Sequence, residues 1–370
     1  MKQRMTRREW LKWSALAGAG LVAAACGPLN GEGDSGANTN PSGQSGASSS
    51  TGANDAADQR GSENPETIGL GNSVKYTRNE DFYVVDIGAG HPAVDEASWR
   101  LTLDGGVEKP LKLSLAELKQ LPSVTQTRTF ECISNPVGGP LIGNALWVGV
   151  QMKQLLAMAG MKPGAKELVV RAADGFHTSI PIELAMHEHA LLAYMMNGEP
   201  LPRAHGFPLR CVWPGRYGMK QPRWITRIEV IDSNYRGFWE QQGWSNDAFI
   251  KINSQILAPK SREVIATPTY TVRGLAHAGL AGVKKVAVSA DDGKTWNEAT
   301  LIRGPEPKPL VWTEWRYEWP VPADGRYTLI ARATDNNDGQ QEGIGDTLLG
   351  GTFPDGTSRM HAVTAIVKRA

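Results

Sequence analysis

Cysteine is scarce in this chain: its 370 residues hold 3, at Cys26, Cys132 and Cys211. A disulfide framework of the kind that staples small exported domains is excluded, and the two cysteines beyond residue 27 can make at most one bridge. Charge of one sign is equally scarce. With 39 basic and 38 acidic side chains the formal net charge is +1, so no basic field exists to hold a polyanion, and nucleic-acid binding is excluded. Apart from a stretch near the N-terminus, no apolar run is long enough to cross a bilayer as a helix. No G-x-G-x-x-G follows a strand-like run, no G-x-S-x-G elbow is present, and no C-x-x-C-H sequence can attach a haem. Nicotinamide binding, serine hydrolysis and covalent haem chemistry lose their support.

What is present begins with a targeting pattern. Arg4, Arg7 and Arg8 precede a mostly apolar run over residues 11–25 that is short for a permanent span. Thr6-Arg7-Arg8-Glu9-Trp10-Leu11-Lys12 resembles a twin-arginine signal, the route for proteins exported already folded. Ala23-Ala24-Ala25-Cys26 has the form of a lipoprotein cleavage box, so lipid attachment at Cys26 is expected. Residues 27–66 are mostly Gly, Ser, Asn, Ala and Asp, with little apolar surface to offset chain entropy, and read as a flexible tether. The expected organisation is a signal at 1–26, a linker at 27–66, an α+β domain at 67–258 and an all-β sandwich at 259–370. The expected location is the outer face of the cytoplasmic membrane or the periplasm.

Within 67–258 short strands and helices alternate. Residues 99–103, 125–131, 168–173, 177–180 and 191–196 read as strands. Ser114-Leu115-Ala116-Glu117 forms a capping box before a short helix that Pro122 ends. Val150, Leu155, Leu156 and Met158 suggest a second helix that stops at Gly160. Asp174-Gly175 and Asn197-Gly198 supply turns. Beyond about residue 260 the period changes to two over 283–289, 312–319 and 327–334, which argues antiparallel strands. An immunoglobulin-like sandwich is the simplest architecture, with the boundary expected at residues 258–262.

Two stretches carry chemistry. Thr129-Phe130-Glu131-Cys132-Ile133-Ser134-Asn135 and Gly143-Asn144-Ala145-Leu146-Trp147-Val148-Gly149-Val150 form one. Asn197-Gly198-Glu199-Pro200-Leu201-Pro202, His205-Gly206-Phe207-Pro208-Leu209-Arg210 and Pro214-Gly215-Arg216-Tyr217-Gly218-Met219-Lys220 form the other. Together they resemble the molybdenum domains of the sulfite oxidase family, and Asp292-Gly293-Lys294-Thr295-Trp296 resembles the family's dimerisation domain. The resemblance implies molybdenum with molybdopterin as cofactor, two-electron oxygen-atom transfer, and a homodimer. It implies that Cys132 is the protein ligand to the metal, a role that suits a soft thiolate beside a pterin dithiolene. It also implies that Asn79, His205, Arg210, Gln221, Pro222 and Arg223 contact the cofactor, whose phosphate and polar ring atoms need fixed cations and donors. Cys211, between Arg210 and Val212 in a strand-like run, reads as core packing. Electrons must be exchanged singly with a separate carrier such as a cytochrome, because no haem site or cytochrome b5-like region is present.

The substrate side departs from that family. After Asn135 come Pro136, Val137, Gly138 and Gly139, where sulfite oxidases place arginines, and the family's active-site tyrosine falls on Trp244. Arg78, Arg128 and Arg216 are the candidates to hold an oxyanion in their stead. Two alternatives follow: a sulfoxide or oxide reductase using the same site, and a lipid-anchored binding or assembly protein without cofactor. His187-Glu188-His189 reads as a solvated edge, and Asp335-Asn336-Asn337-Asp338-Gly339 as a turn.

Overall fold

The strand Ser123–Glu131 sets the organisation of the chain. Its first half alternates between exposed and partly buried side chains, while Thr127 to Glu131 are all buried. Such a switch means that a second layer covers the face that was open to solvent. The layer is the C-terminal sandwich. The structure, a computed structural model, describes residues 67–69, 75–302, 310–344 and 351–369. The predicted signal, with Cys26, and the whole of the predicted linker lie outside the described residues.

Two five-stranded sheets form the first half. One runs in the order Leu111–Leu113, Leu101–Gly105, Ile225–Ile231, Glu167–Ala172, His177–Pro181, with only the Ile225–Ile231 and Leu101–Gly105 pair parallel. The other is antiparallel, in the order Glu199–Pro200, Leu191–Met196, Ile142–Gln151, Ser123–Glu131, and Arg210–Val212 also pairs with Leu191–Met196. Leu101, Leu103, Val170 and Ile228 of the first sheet share a core with Val150, Leu192 and Cys211 of the second. Each such aliphatic side chain contributes about 1.5–3 kcal/mol by leaving water. This is the expected α+β arrangement, with few helices.

The helix Leu115–Gln120 carries the capping box read from the sequence: Ser114 N donates to Glu117 Oε2 at 2.8 Å, and Glu117 N donates to Ser114 Oγ at 3.2 Å. The helix Met152–Ala159 ends at Gly160, whose φ of 67° suits glycine. Leu155 and Leu156 are buried on it, but Val150 belongs to the preceding strand and Met158 is 43% exposed. The buried face is Met152, Leu155, Leu156 and Ala159 rather than Val150, Leu155, Leu156 and Met158. Asn197 and Gly198, with φ of 50° and 86°, make the tight hairpin that follows Leu191–Met196.

The second half stacks a four-stranded sheet, Asn253–Ala258, Thr269–His277, Thr313–Pro320, Thr300–Ile302, on a five-stranded one, Val264–Ile265, His361–Val367, Gly325–Asp335, Val283–Ser289, Asn297–Glu298. Val272, Val286, Trp315, Leu329 and Val363 fill the space between. The sandwich begins with Asn253–Ala258, so the change of architecture comes before Asn253 and not at residues 258–262. Polar Asn253, Ser254 and Gln255 hid that strand in the sequence. Ser254 faces the sandwich interior, where its Oγ donates to Ala331 O at 3.1 Å. Asn253 and Gln255 take the other face and meet the first half of the chain. Thr129 adds to this junction: its N donates to Leu310 O at 3.0 Å, and Trp312 N donates to its Oγ1 at 2.8 Å.

Two buried polar groups give measurable consequences. His277, opposite Asn253 in the ladder, is 1% exposed, and among the described residues neither ring nitrogen has a hydrogen-bond partner. Burial draws its pKa down to about 4, so between pH 6.5 and 4 the unfolded chain binds a proton that the folded one refuses, and stability falls as pH falls through that window. Replacing it by His277→Leu should flatten the decline of stability by about 1.4 kcal/mol per pH unit, as read by chemical unfolding at a series of pH values; an unaltered slope would contradict a neutral, buried imidazole. Lys220 is the other case. Its Nζ donates to Glu240 Oε1 at 2.5 Å and to Ser179 O at 3.0 Å, with both side chains almost fully buried, and thereby ties the turn after Tyr217 to the first sheet. Lys220→Met strands the carboxylate and should cost about 3–5 kcal/mol, whereas Lys220→Met with Glu240→Leu should recover most of that loss. Urea unfolding of the three proteins measures both.

Candidate molybdenum site

The buried strand Ser123–Glu131 delivers Cys132 to a closed loop. Cys132 N donates to Leu141 O at 2.9 Å, Asn135 N donates to Cys132 O at 3.0 Å, and Leu141 N donates to Asn135 Oδ1 at 3.0 Å. These bonds cross-link residues 132–141 at both ends. The Cys132 side chain is 7% exposed, with Sγ 3.2 Å from Ser134 Oγ. Burial raises the thiol pKa, and the Ser134 hydroxyl opposes that shift only in part. A bound cation would reverse this logic, because a coordinated thiol gives up its proton outright.

Glu131, which the sequence reading did not single out, lies directly before the thiol. Its Oε1 accepts from Asn135 Nδ2 at 2.9 Å and its Oε2 from Asn253 Nδ2 at 2.6 Å. Burial pushes its pKa up to about 7, against the pull of the two amides. Tyr83 and Tyr217 were missed as well. Tyr217 is buried and Tyr83 partly buried, both feel the charges of Cys132 and Glu131, and both have pKa values raised chiefly by desolvation. Gly218 fits because a Cβ there would stand 2.7 Å from Tyr83 Oη. That tight approach was the only sequence signal, a glycine directly after a tyrosine in a polar turn.

On the cofactor side, Asn79, His205 and Arg210 are joined directly. His205 Nε2 lies 2.6 Å from Asn79 O; a carbonyl only accepts, so Nε2 carries the proton and Nδ1 is left as an acceptor. Burial lowers the His205 pKa to about 4, which keeps the ring neutral at pH 7. Arg210 Nη1 donates to His205 O at 3.0 Å, and its guanidinium carbon lies 4.8 Å from the ring centres of both Phe130 and Trp147. Burial lowers its pKa to about 9, still a cation at neutral pH. Among the described residues it has no ion pair, and its buried Nε has no hydrogen-bond partner. A cation taken from water without a carboxylate is costly unless an anion arrives. Arg223 stands near Tyr83, Asp86 and Asp174, and donates through Nη1 to Ala204 O at 2.7 Å and through Nη2 to Val85 O at 2.9 Å. Gln221 is engaged at both ends, accepting from Trp213 N at 2.6 Å and donating to Trp213 O at 2.8 Å and Arg216 O at 3.1 Å. Pro222 O accepts from Cys211 N at 2.9 Å. Gln221 and Pro222 thus brace the segment. Neutral donors, an unpaired cation and a soft thiol form a set that fits a phosphate-bearing pterin with a sulfur-bound metal.

The oxyanion candidates are not brought into one cluster. Arg78 pairs with Asp81 at 2.5 Å and Glu80 at 3.6 Å at the surface. Arg128 is buried, donating to Thr127 O at 2.7 Å and to Gln126 Oε1. Arg216 lies over Phe249, its guanidinium carbon 3.7 Å from the ring centre, and its buried Nη1 has no partner among the described residues. Trp244 packs against the group of Ile133, Tyr217 and Met219, with its ring edge-to-face on Phe353 at 5.0 Å. Cys211 is fully buried in the core, as expected. Among the described residues no group of three or more His, Cys, Asp or Glu is placed to hold a metal by itself.

Comparisons with known proteins agree with this geometry. Residues 88–239 match the model of the oxidoreductase molybdopterin binding domain, and residues 246–342 that of the Mo-co oxidoreductase dimerisation domain. Sulfite oxidase of Gallus gallus is 30% identical over 292 residues, 66% of this chain and 64% of its own length. Mitochondrial sulfite oxidase of Homo sapiens is 31% identical over 292 residues, 66% of this chain and 53% of its own. The uncharacterised oxidoreductase YuiH of Bacillus subtilis (strain 168) is 34% identical over 162 residues, 42% of this chain and 80% of its own. The chain thus spans less than two thirds of the chicken and human enzymes. Among solved structures, the sulfane dehydrogenase SoxCD of Paracoccus pantotrophus shares the fold, with a TM-score of 0.67 at 22% identity over 87% of this chain and 96% of that one. The thiol at the end of a buried strand, the unpaired cation beside a neutral histidine, and the two matched domains in order show that this chain belongs to the sulfite oxidase family of molybdopterin-dependent oxidoreductases.

Proposed function

We propose that this chain is an exported molybdenum enzyme that transfers an oxygen atom to or from a small substrate in a two-electron step, with Cys132 as the protein's ligand to the metal. The observation that carries the reading is the pairing of a buried thiol with a buried, unpaired guanidinium at Arg210. Molybdenum held by molybdopterin supplies the oxo-transfer chemistry when bound, and the protein binds, orients and tunes. Arg210 and Arg223 would neutralise the cofactor's phosphate. His205, neutral and fixed by Asn79, would offer Nδ1 as an acceptor to a pterin N–H. Cys132 would present its thiolate from a loop whose backbone is already cross-linked.

On the substrate side Arg128 and Arg216 each keep a buried guanidinium nitrogen without a partner among the described residues, and Arg216 is the one whose stacking on Phe249 holds it in place. A single fork suits a monoanion or a neutral oxide better than a sulfite dianion. With Gly138 and Gly139 in place of cations, that favours a sulfur compound carrying an organic group, and it keeps the reductase direction open as a second reading. Trp244 can donate through its indole N–H but cannot ionise. Electrons would pass to or from a separate carrier such as a cytochrome. Export by the twin-arginine signal, lipid attachment at Cys26 and a homodimer built through the sandwich complete the proposal.

Protein purified from a molybdopterin-competent host should carry close to one molybdenum per chain, and Cys132→Ser should lower turnover by at least ~100-fold; full activity in that variant would contradict the assignment. Comparing sulfite-dependent dye reduction with dye-driven reduction of methionine sulfoxide should favour the organic substrate. Arg216→Gln should raise KM by about 10-fold or more with kcat nearly unchanged, the signature of a lost binding contact. Sedimentation at micromolar concentration should give a dimer.

A further inference from the structure

Beyond its core, the sandwich reaches the metal loop directly. Because Ser254 and Ile256 face the sandwich interior, Asn253 and Gln255 project from the same strand towards residues 132–141. Both are buried, at 8% and 3% exposure. Asn253 Nδ2 donates to Glu131 Oε2 at 2.6 Å, and Gln255 Nε2 donates to Gly139 O at 3.0 Å. The first bond lands on the residue before Cys132 and the second on the returning leg of the same loop. Glu131 passes the constraint on, since its other oxygen takes Asn135 Nδ2, and Asn135 holds both Cys132 O and Leu141 N. The ring of His361 fills the space beside Gly138, and its Nδ1 accepts from Ile256 N at 3.0 Å on the same strand.

We infer that the sandwich is part of the metal site: Asn253 and Gln255, acting through Glu131 and Gly139, are positioning residues that fix where the Cys132 thiolate points. The inference rests on the reading of Cys132 as the metal's ligand. One feature separates positioning from plain adhesion between domains. The Asn253 amide turns its Nδ2 towards Glu131 Oε2, and this leaves Asn253 Oδ1 buried without a partner among the described residues, beside the unpartnered ring of His277. A junction selected for stability alone would not keep three buried polar atoms unsatisfied, because each costs about 1–3 kcal/mol and apolar side chains of like volume would pack as well. Two directional bonds from rigid strands, by contrast, admit one loop geometry. Thiolate ligation tolerates errors of only about 0.5 Å, and loss of such outer partners typically costs 10–100-fold in activity or affinity.

The test compares the full-length holoenzyme with Asn253→Ala, Gln255→Ala and Cys132→Ser. Metal content, kcat, KM and the thiolate-to-metal absorption band are measured on each, together with the rate at which iodoacetamide alkylates Cys132 in cofactor-free protein. The expected result for Asn253→Ala is molybdenum within a factor of two of the parent, kcat lowered about 10–100-fold with KM unchanged, a displaced absorption band, and alkylation accelerated several-fold. Gln255→Ala, which severs the other leg, should show the same displacement even if Asn253→Ala does not fold. Unchanged band, kcat and alkylation in both alanine variants, with the band lost in Cys132→Ser, would overturn this inference alone. A band that survives Cys132→Ser would overturn the ligand assignment and this inference with it. A fall in kcat no greater than the fall in metal content, with no spectral change, would also overturn it.

Discussion

The burial of one strand end on both faces is the constraint on which the rest depends. Ser123–Glu131 is an edge strand of its own sheet, and an edge strand normally leaves a row of backbone groups to solvent or to aggregation. Here its last residues are covered by the sandwich, with Thr129 bonded at N and Oγ1 to residues 310 and 312. Cover on both sides makes the strand rigid up to its final residue, and Cys132 follows at once. Cysteine can then be presented at low exposure without being locked into the core, as Cys211 is. The two cysteines have the same chemistry and opposite surroundings: one leads into a polar loop with a hydroxyl at 3.2 Å, the other is enclosed by aliphatic side chains.

Electrostatics follow from that burial. Arg210 keeps its charge against Phe130 and Trp147 rather than against a carboxylate, and His205 is kept neutral by burial. Glu131, a buried acid next to Phe130 in the chain, has both oxygens tied to amides and forms no ion pair with Arg210 among the described residues. The result is a cation left without a carboxylate beside a neutral imidazole, and a soft thiol at the end of the neighbouring strand. Lys220 shows the contrasting solution, in which a buried cation is matched by Glu240 and serves only to hold a turn. Pairing or its absence separates the two buried cations.

Much of this was legible in the sequence. The capping box at Ser114, the hairpin at Asn197-Gly198 and the strands at residues 191–196 and 283–289 depend on local chemistry, and they stand as read. Cys132, His205 and Arg210 were read from long motifs and Asn79 from Thr77-Arg78-Asn79, and the fold brings Asn79, His205 and Arg210 into direct contact. Val150 was assigned to the helix and Met158 to its buried face because two turns of helix give too few positions to separate a 3.6-residue period from the end of a strand. The start of the sandwich at Asn253 was hidden because that strand turns polar residues to another domain, not to solvent, and alternation alone cannot show this. Glu131, Tyr83 and Tyr217 escaped for a related reason: their surroundings are made by residues far away in the chain. Arg78, Arg128 and Arg216 looked equivalent as isolated cations, and only their neighbours set Arg216 apart.

The central claim is that Cys132 sulfur is bonded to molybdenum. X-ray absorption at the molybdenum edge counts sulfur neighbours directly, on protein in solution and without a substrate. The expected result is one fewer sulfur scatterer around the metal in Cys132→Ser than in the parent chain, at equal metal loading. The same sulfur count in both proteins would contradict the account.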